Sequence, residues 1–200
     1  MIKLQGKLPR ELYLACSGGS DSMAALDFLR RNHDVKVIFV HHVTEHSDRA
    51  YEFLRNHCHS LGIEFTWYQV STAKPARKSQ EQHWREERYD FFERHSDAPV
   101  ITCHHLDDCV ETWVWSSMHG TGKIIPYRNK NTIRPFRLTR KRDFAMWNAM
   151  HNVEWKEDDS NADICYTRNY IRHEMIPHVL NVNPGINKVV ARKVRNDFDS

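Results

Sequence analysis

Hydrophobic positions along this chain follow two alternating rhythms. Short apolar runs at 11–16 ("ELYLAC"), 35–42 ("VKVIFVHH"), 63–70 ("IEFTWYQV") and 99–105 ("PVITCHH") have the length and β-branched content of strands. "VKVIFVHH" is the most completely apolar, as expected when both faces of a sheet are covered. Between these runs the apolar residues recur every three to four positions, which predicts helices. Met23, Leu26 and Leu29 share one face. Ser47 opens a second helix carrying Ala50, Phe53, Leu54, Cys58 and Leu61, and Gly62 closes it. Ser79, with Gln82 three positions on, caps a third over 80–95. "LDDCVETWVWSSMHG" is a fourth, ended by Gly120, with Val110, Trp113 and Val114 expected to anchor it to the sheet. A short strand is predicted at "NTIRPF", and Thr139 is expected to cap a helix with Phe144, Trp147 and Met150 inward. Helical pieces follow at "RNYIRHEMI" and "INKVVARKVRND".

Strand–helix alternation of this kind predicts an α/β fold: a parallel sheet with helices on both faces, joined by right-handed crossovers. Residues 1–150 form the expected main domain, and 151–200 a small helical C-terminal extension packing on it. Ligands of such sheets bind beyond the strand C-termini, where strand order reverses.

The first strand leads directly into Ser17-Gly18-Gly19-Ser20-Asp21-Ser22 and then a helix. Glycines 18 and 19 allow a positive φ and a close approach of backbone to ligand. Amides of the turn and first helical turn converge with the helix dipole, and three serine hydroxyls add donors. The result is a cradle for phosphate. No lysine of the Walker type is present; Asp21 stands there instead, and a carboxylate beside phosphate calls for a divalent cation between them.

With 40% hydrophobic and 28% charged residues, the composition is that of a packed globular chain. No apolar run approaches the roughly 18 residues of a membrane span. The N-terminus lacks the apolar core of a secretory signal, and five cysteines show no CxxC pair. Reduced thiols and a cytoplasmic location are the expectation. Neighbouring strand residues point to opposite faces, so "CHH" at 103–105 is not expected to converge on a metal. Net charge is only +3, yet cations gather at Lys123, Arg128, Lys130, Arg134, Arg137, Arg140, Lys141 and Arg142, a pattern that reads equally as a solvated face or as an RNA surface.

"SGGSDS" resembles the PP-loop of N-type ATP pyrophosphatases, whose fold is Rossmann-like. "REERY" (85–89), "CHHLDDCVET" (103–112), "HGTG" (119–122), "IRP" (133–135) and "DDSNADICYTRNYIRHEMIP" (158–177) occur in the order found in the tRNA(Ile)-lysidine synthetase family. The resemblance runs from about residue 12 to 184. It implies an ATP-dependent ligase with ATP and Mg²⁺ as cofactors. Its partners would be L-lysine and tRNA(Ile) bearing a CAU anticodon. AMP is transferred to C2 of the wobble cytidine through its oxygen, and the lysine ε-amine then displaces it, leaving AMP and pyrophosphate as products.

Carried over residue by residue, the resemblance gives the nucleotide to Ser17, Gly18, Gly19, Ser20, Asp21 and Ser22, with Arg85 and Arg88 approaching nucleotide or RNA. Asp21 would help hold Mg²⁺. Asp108 and Glu111 match the functional acidic pair, for lysine binding and general-base work, and Asn161 and Arg172 match positions needed for activity. Asp107, Asp108 and Glu111 also fall within an arc of about 100° at helical periodicity. The family's C-terminal tRNA-gripping domains lie outside these motifs, and "KIIPYRNKN" replaces the usual Leu-x-Gly continuation after Gly122. A short form is expected, with a homodimer left open as the source of a second tRNA grip. The rival readings are a PP-loop tRNA thiolase and a non-catalytic tRNA-binding protein of the same fold.

Overall fold

The structure, a computed structural model, describes residues 1–71, 79–157, 165 and 167–199. Its strands are β1 (Glu11–Ala15), β2 (Asp34–His41), β3 (Phe65–Gln69), β4 (Val100–Ile101), β5 (Arg128–Asn129) and β6 (Thr132–Ile133). They form one sheet in the order β3-β2-β1-β4-β6-β5, parallel except for the β5–β6 pair. The helices are α1 (Ser20–Leu29), α2 (Glu45–Leu61), α3 (Gln80–His95), α4 (Leu106–Met118), α5 (Lys141–His151), α6 (Thr167–Tyr170), α7 (Ile176–Val182) and α8 (Ile186–Asp199). A π-helical turn, Ile171–Met175, joins α6 to α7. No helix among the described residues is long and apolar enough to cross a membrane.

Period-two alternation decides which side chain enters which layer. From β1 and β2, Leu12, Leu14, Val35, Val37 and Phe39 join α1, α2 and α5 in one core, while Tyr13, Ile38 and Val40 join Phe91 and Phe92 of α3 on the opposite face. Leu26 and Leu29 of α1 are fully buried, each stabilising the fold by about 2 kcal/mol. The order reverses between β1 and β4, since β2 and β3 lie on one side of β1 while β4 and β6 lie on the other. The crevice at their C-terminal tips is therefore where a ligand fits.

Several local expectations are corrected. Thr44, not Ser47, caps α2: its hydroxyl accepts from the Ser47 amide, and the Ser47 hydroxyl accepts from the His42 amide. Gly62 does end α2, at φ 64°. Thr139 does not cap α5. Its hydroxyl donates to the Lys3 carbonyl and accepts from the Lys3 amide, which leaves Arg140 as the cap. Met150 is 72% exposed, and the buried residues of α5 are Phe144 and Asn148. Val110 and Val114 pack not on the sheet but against Ile186, Val190 and Val194 of α8, forming a separate apolar layer.

The expected RNA surface also loses members. Arg134 and Arg137 are 2% and 0% exposed. Arg134 donates to the Pro126 carbonyl and the Tyr89 hydroxyl; Arg137 donates to Gln5, the Ile125 carbonyl and Asp197. Buried guanidinium groups persist only where oxygens satisfy them. Lys130 pairs with Glu93 and Arg140 with Asp107. Lys123, Arg128, Lys141 and Arg142 are exposed.

Candidate active site

Beyond the tip of β1, the turn is built by its own serines. Gly18 adopts φ +80°, the left-handed region that favours glycine. An added Cβ there would meet Ala50 at an ordinary 3.6 Å, so conformation rather than space demands the glycine. Gly19 has φ −76° and needs no such freedom, which corrects the sequence expectation. The Ser22 hydroxyl is turned inward, donating to the Gly19 carbonyl and accepting from the Ser17 amide. The Ser20 hydroxyl accepts from Asn148 of α5. The Ser17 hydroxyl accepts from the Gly19 amide and lies 3.3 Å from the Ser22 hydroxyl, so all three hydroxyls hold the turn in shape, and of the three Ser17 alone is exposed. Gly19 gives α1 no side-chain cap. Amides at the start of α1 keep their donors for a ligand, with the helix dipole behind them.

Beyond the tip of β4, His105 caps α4 in a reciprocal box. Its Nδ1 accepts from the Asp108 amide, and Asp108 Oδ2 accepts from the His105 amide. His105 Nε2 reaches 3.4 Å from Asp21 Oδ2, so one buried imidazole spans the two strand tips. Burial pushes its pKa down, but Asp108 and then Asp21 outweigh this and hold it above the ordinary value. Asp108 is opposed by burial, yet the His105 and Arg168 charges hold it at about 2.

Asp108 and Glu111 are 6% and 5% exposed and face one cluster, as expected from their spacing. Asp107 leaves it: its carboxylate takes Arg140 and the Lys141 amide. Arg172, expected only as a position needed for activity, places Nε 2.7 Å from Glu111 Oε1. Arg168, which the sequence reading missed, places Nη2 2.8 Å from Asp108 Oδ1. The signal was there in the four-residue spacing of Arg168 and Arg172, which matches the three-residue spacing of the two acids. His105 was legible too, from its capping-box spacing to Asp108.

The remaining candidates divide. The Arg85 guanidinium lies 5.0 Å from the Tyr89 ring centroid, and its charge reaches His104; the Arg88 charge reaches His42 beyond β2. Asn161 lies outside the described residues. The "CHH" side chains go separate ways, His104 to Thr102 and His105 to Asp21. Among the described residues no three His, Cys, Asp or Glu side chains gather as a metal-ligand group. Mg²⁺ does not require one, because it typically uses one or two carboxylates with substrate phosphates and water. Asp21 Oδ1 fits that role: it is buried and has no hydrogen-bond partner.

The chain is similar to several known proteins. The tRNA(Ile)-lysidine synthase of Thermotoga maritima is 31% identical over 198 residues, covering 90% of this chain and 48% of that protein. That of Haemophilus ducreyi is 30% identical over 195 residues, covering 92% of this chain and 45% of its own length. The chain thus spans about half the length of the curated relatives it matches. Among solved structures, the U34-tRNA thiolase NcsA from Methanococcus maripaludis, described with its 4Fe–4S cluster, superposes with TM-score 0.74 at 14% identity, covering 96% of this chain and 73% of that one. The NH3-dependent NAD synthetase from Campylobacter jejuni superposes with TM-score 0.51 at 12% identity, covering 96% and 87%. Such identities speak to fold alone. The PP-loop domain profile matches residues 2–179, and with the turn, switch point and acid pair in place, the chain belongs to the PP-loop family.

Proposed function

We propose that the protein is an ATP-dependent tRNA(Ile)-lysidine synthetase. The observation that carries this reading is the linkage of Asp21, His105 and Asp108, which sets a phosphate cradle beside a buried acid pair within one crevice. Phosphate binding alone has no use for Asp108 and Glu111, whereas an incoming lysine needs both a seat and a proton acceptor.

The reaction has two steps. In the first, the cytidine C2 oxygen forms a bond to the α-phosphorus as the bond to pyrophosphate breaks. Amides of the turn would hold the phosphates, and Asp21 would hold Mg²⁺, which offsets their negative charge. In the second, the lysine nitrogen bonds to C2 and AMP leaves with the oxygen. Free lysine has a pKa near ~10.4 and arrives protonated. Asp108 and Glu111 would seat the ammonium group. Seating raises the amine's pKa, so the acids must also take its proton as attack proceeds. Arg85 and Arg88 would meet phosphate of the nucleotide or RNA, and Asn161 and Arg172 complete the proposed set. Residues 1–150 would carry the nucleotide chemistry and 151–200 an extension of it.

The thiolase reading is less favoured. Sulfur chemistry wants accessible thiolates, usually as a CxxC pair; the sequence has no such pair, Cys16, Cys58 and Cys109 are buried, Cys103 is half-buried, and Cys165 is exposed. Burial also pushes Cys58 and Cys109 up to about 12. The deciding assay combines the purified chain with ATP, labelled lysine and tRNA(Ile) bearing a CAU anticodon. Label retained in the tRNA, with equimolar AMP, is expected. Sulfur-dependent modification, or tight binding without turnover, would overturn the assignment.

A further inference from the structure

Asp108 and Glu111 are asked to receive an ammonium group, yet both are already occupied. Arg168 reaches both acids, Nη2 lying 2.8 Å from Asp108 Oδ1 and Nε 3.3 Å from Glu111 Oε2. Arg172 straddles Glu111, Nε lying 2.7 Å from Oε1 and Nη2 3.2 Å from Oε2, with a further 3.2 Å contact to Asp108 Oδ1. Two carboxylates facing two guanidinium groups make a neutral quartet. An added ammonium would be an uncompensated charge in a desolvated place, so lysine cannot simply join.

The two arginines are not equivalent. The Arg168 side chain is 48% exposed and the Arg172 side chain 22%. Arg172 holds Glu111 with two bonds, while Arg168 makes a single bond to each acid. Arg168 lies in the single turn α6, which runs without a break into the π-helical turn Ile171–Met175 that carries Arg172. π-helical turns of this type recur at functional sites.

We propose that Arg168 is a placeholder for the substrate amine: one guanidinium leaves as one ammonium enters, and phosphate draws the arginine out. This rests on the lysine-transfer reading and deepens it by setting the order of binding. Exchange of one cation for another keeps the quartet neutral. Phosphate is the fitting attractor because a guanidinium fork binds it bidentately. Arg85 and Arg134 stand close enough for their charges to bear on His104, against the opposing charge of Asp108. Nucleotide and RNA both supply phosphate, and the experiment separates them.

Lysine affinity is measured by calorimetry on the full chain alone, with Mg²⁺–ATP, and with tRNA(Ile) bearing a CAU anticodon. In the wild type, lysine binds weakly alone and about tenfold tighter in at least one phosphate arm, which identifies the source. Arg168→Gln and Arg168→Met alone should bind lysine about tenfold tighter than the wild type alone, and gain less than about twofold from phosphate. Arg168→Lys keeps a cation in the seat and should behave as the wild type. Methylguanidinium added to Arg168→Gln should weaken lysine binding again, a rescue that a merely structural role would not produce. Lysine bound no tighter by either neutral variant, or no phosphate effect in the wild type, overturns the placeholder while leaving lysine transfer standing. Lysine bound by no protein in any arm overturns both.

Discussion

The turn at 17–22 and the acid pair at 108 and 111 face one crevice from neighbouring strands, but they are built in opposite ways. The turn is made of backbone held by neutral hydrogen bonds: Ser22 to Gly19, and Asn148 to Ser20. Its shape is present before any ligand arrives. The acid pair is made of charges, and charges kept from water must be matched by others. In the structure the match is Arg168 and Arg172, with His105 beside Asp108. A cradle of dipoles can stand open, whereas a seat of buried carboxylates has to be filled by something. Preorganisation suits the group that binds first, and an occupied seat suits the one that binds later.

The largest expected effect tests the rigid half. Gly18→Val puts a β-branched residue at φ +80°. Pyrophosphate release should fall by at least ~100-fold, since the turn must either distort or store strain. Release within threefold of wild type would show that the turn does not seat the nucleotide. The charged half is tested by Glu111→Gln, which keeps the shape and removes one charge. Formation of the adenylated tRNA should stay within about threefold, while lysine attachment falls by about 30-fold. Equal loss in both steps would dissolve the distinction between the halves.

The smallest effect concerns pH. Burial, with the nearby arginine charges, holds His42 at about 4 and His104 at about 3, against an ordinary 6.5. Between pH 6.5 and 5 the unfolded chain takes up protons that the folded chain refuses, so stability falls as pH falls. Allowing for screening of these partly exposed rings, the loss is roughly 2 kcal/mol, or about 6 °C in the melting midpoint. His105 has the opposite sign. Its raised pKa contributes stability below pH 6.5 that is lost as pH rises through its folded value. A midpoint that is flat from pH 6.5 to 5 would contradict the buried neutral histidines.

The rigid half was the more legible in sequence. A glycine pair after an apolar run has few local solutions, and β1, the turn and α1 fall where the pattern puts them. The acid pair was legible as residues but not as a filled site. Arg168 and Arg172 lie more than fifty residues from their partners, and nothing local couples them. Sign misled in the same way at Arg134 and Arg137. A run of cations reads as surface, and only tertiary oxygens from Pro126, Ile125, Gln5 and Asp197 make their burial tolerable. Thr139 failed as a cap because Lys3, at the far end of the chain, competes for its hydroxyl. Local rules work where the partner is near, and fail where the chain returns from a distance.

Arg137 ties together Gln5, near the start of the chain, and Asp197, near residue 200. During synthesis its guanidinium has no carboxylate to meet until residue 197 clears the ribosome. Until then the layer between α4 and α8 is also unmade, and the apolar face of α4 around Val110 and Val114 stays wet. Arrival of α8 is therefore the step that covers α4, the helix carrying Asp108 and Glu111, so newly made chains would become protease-resistant there abruptly.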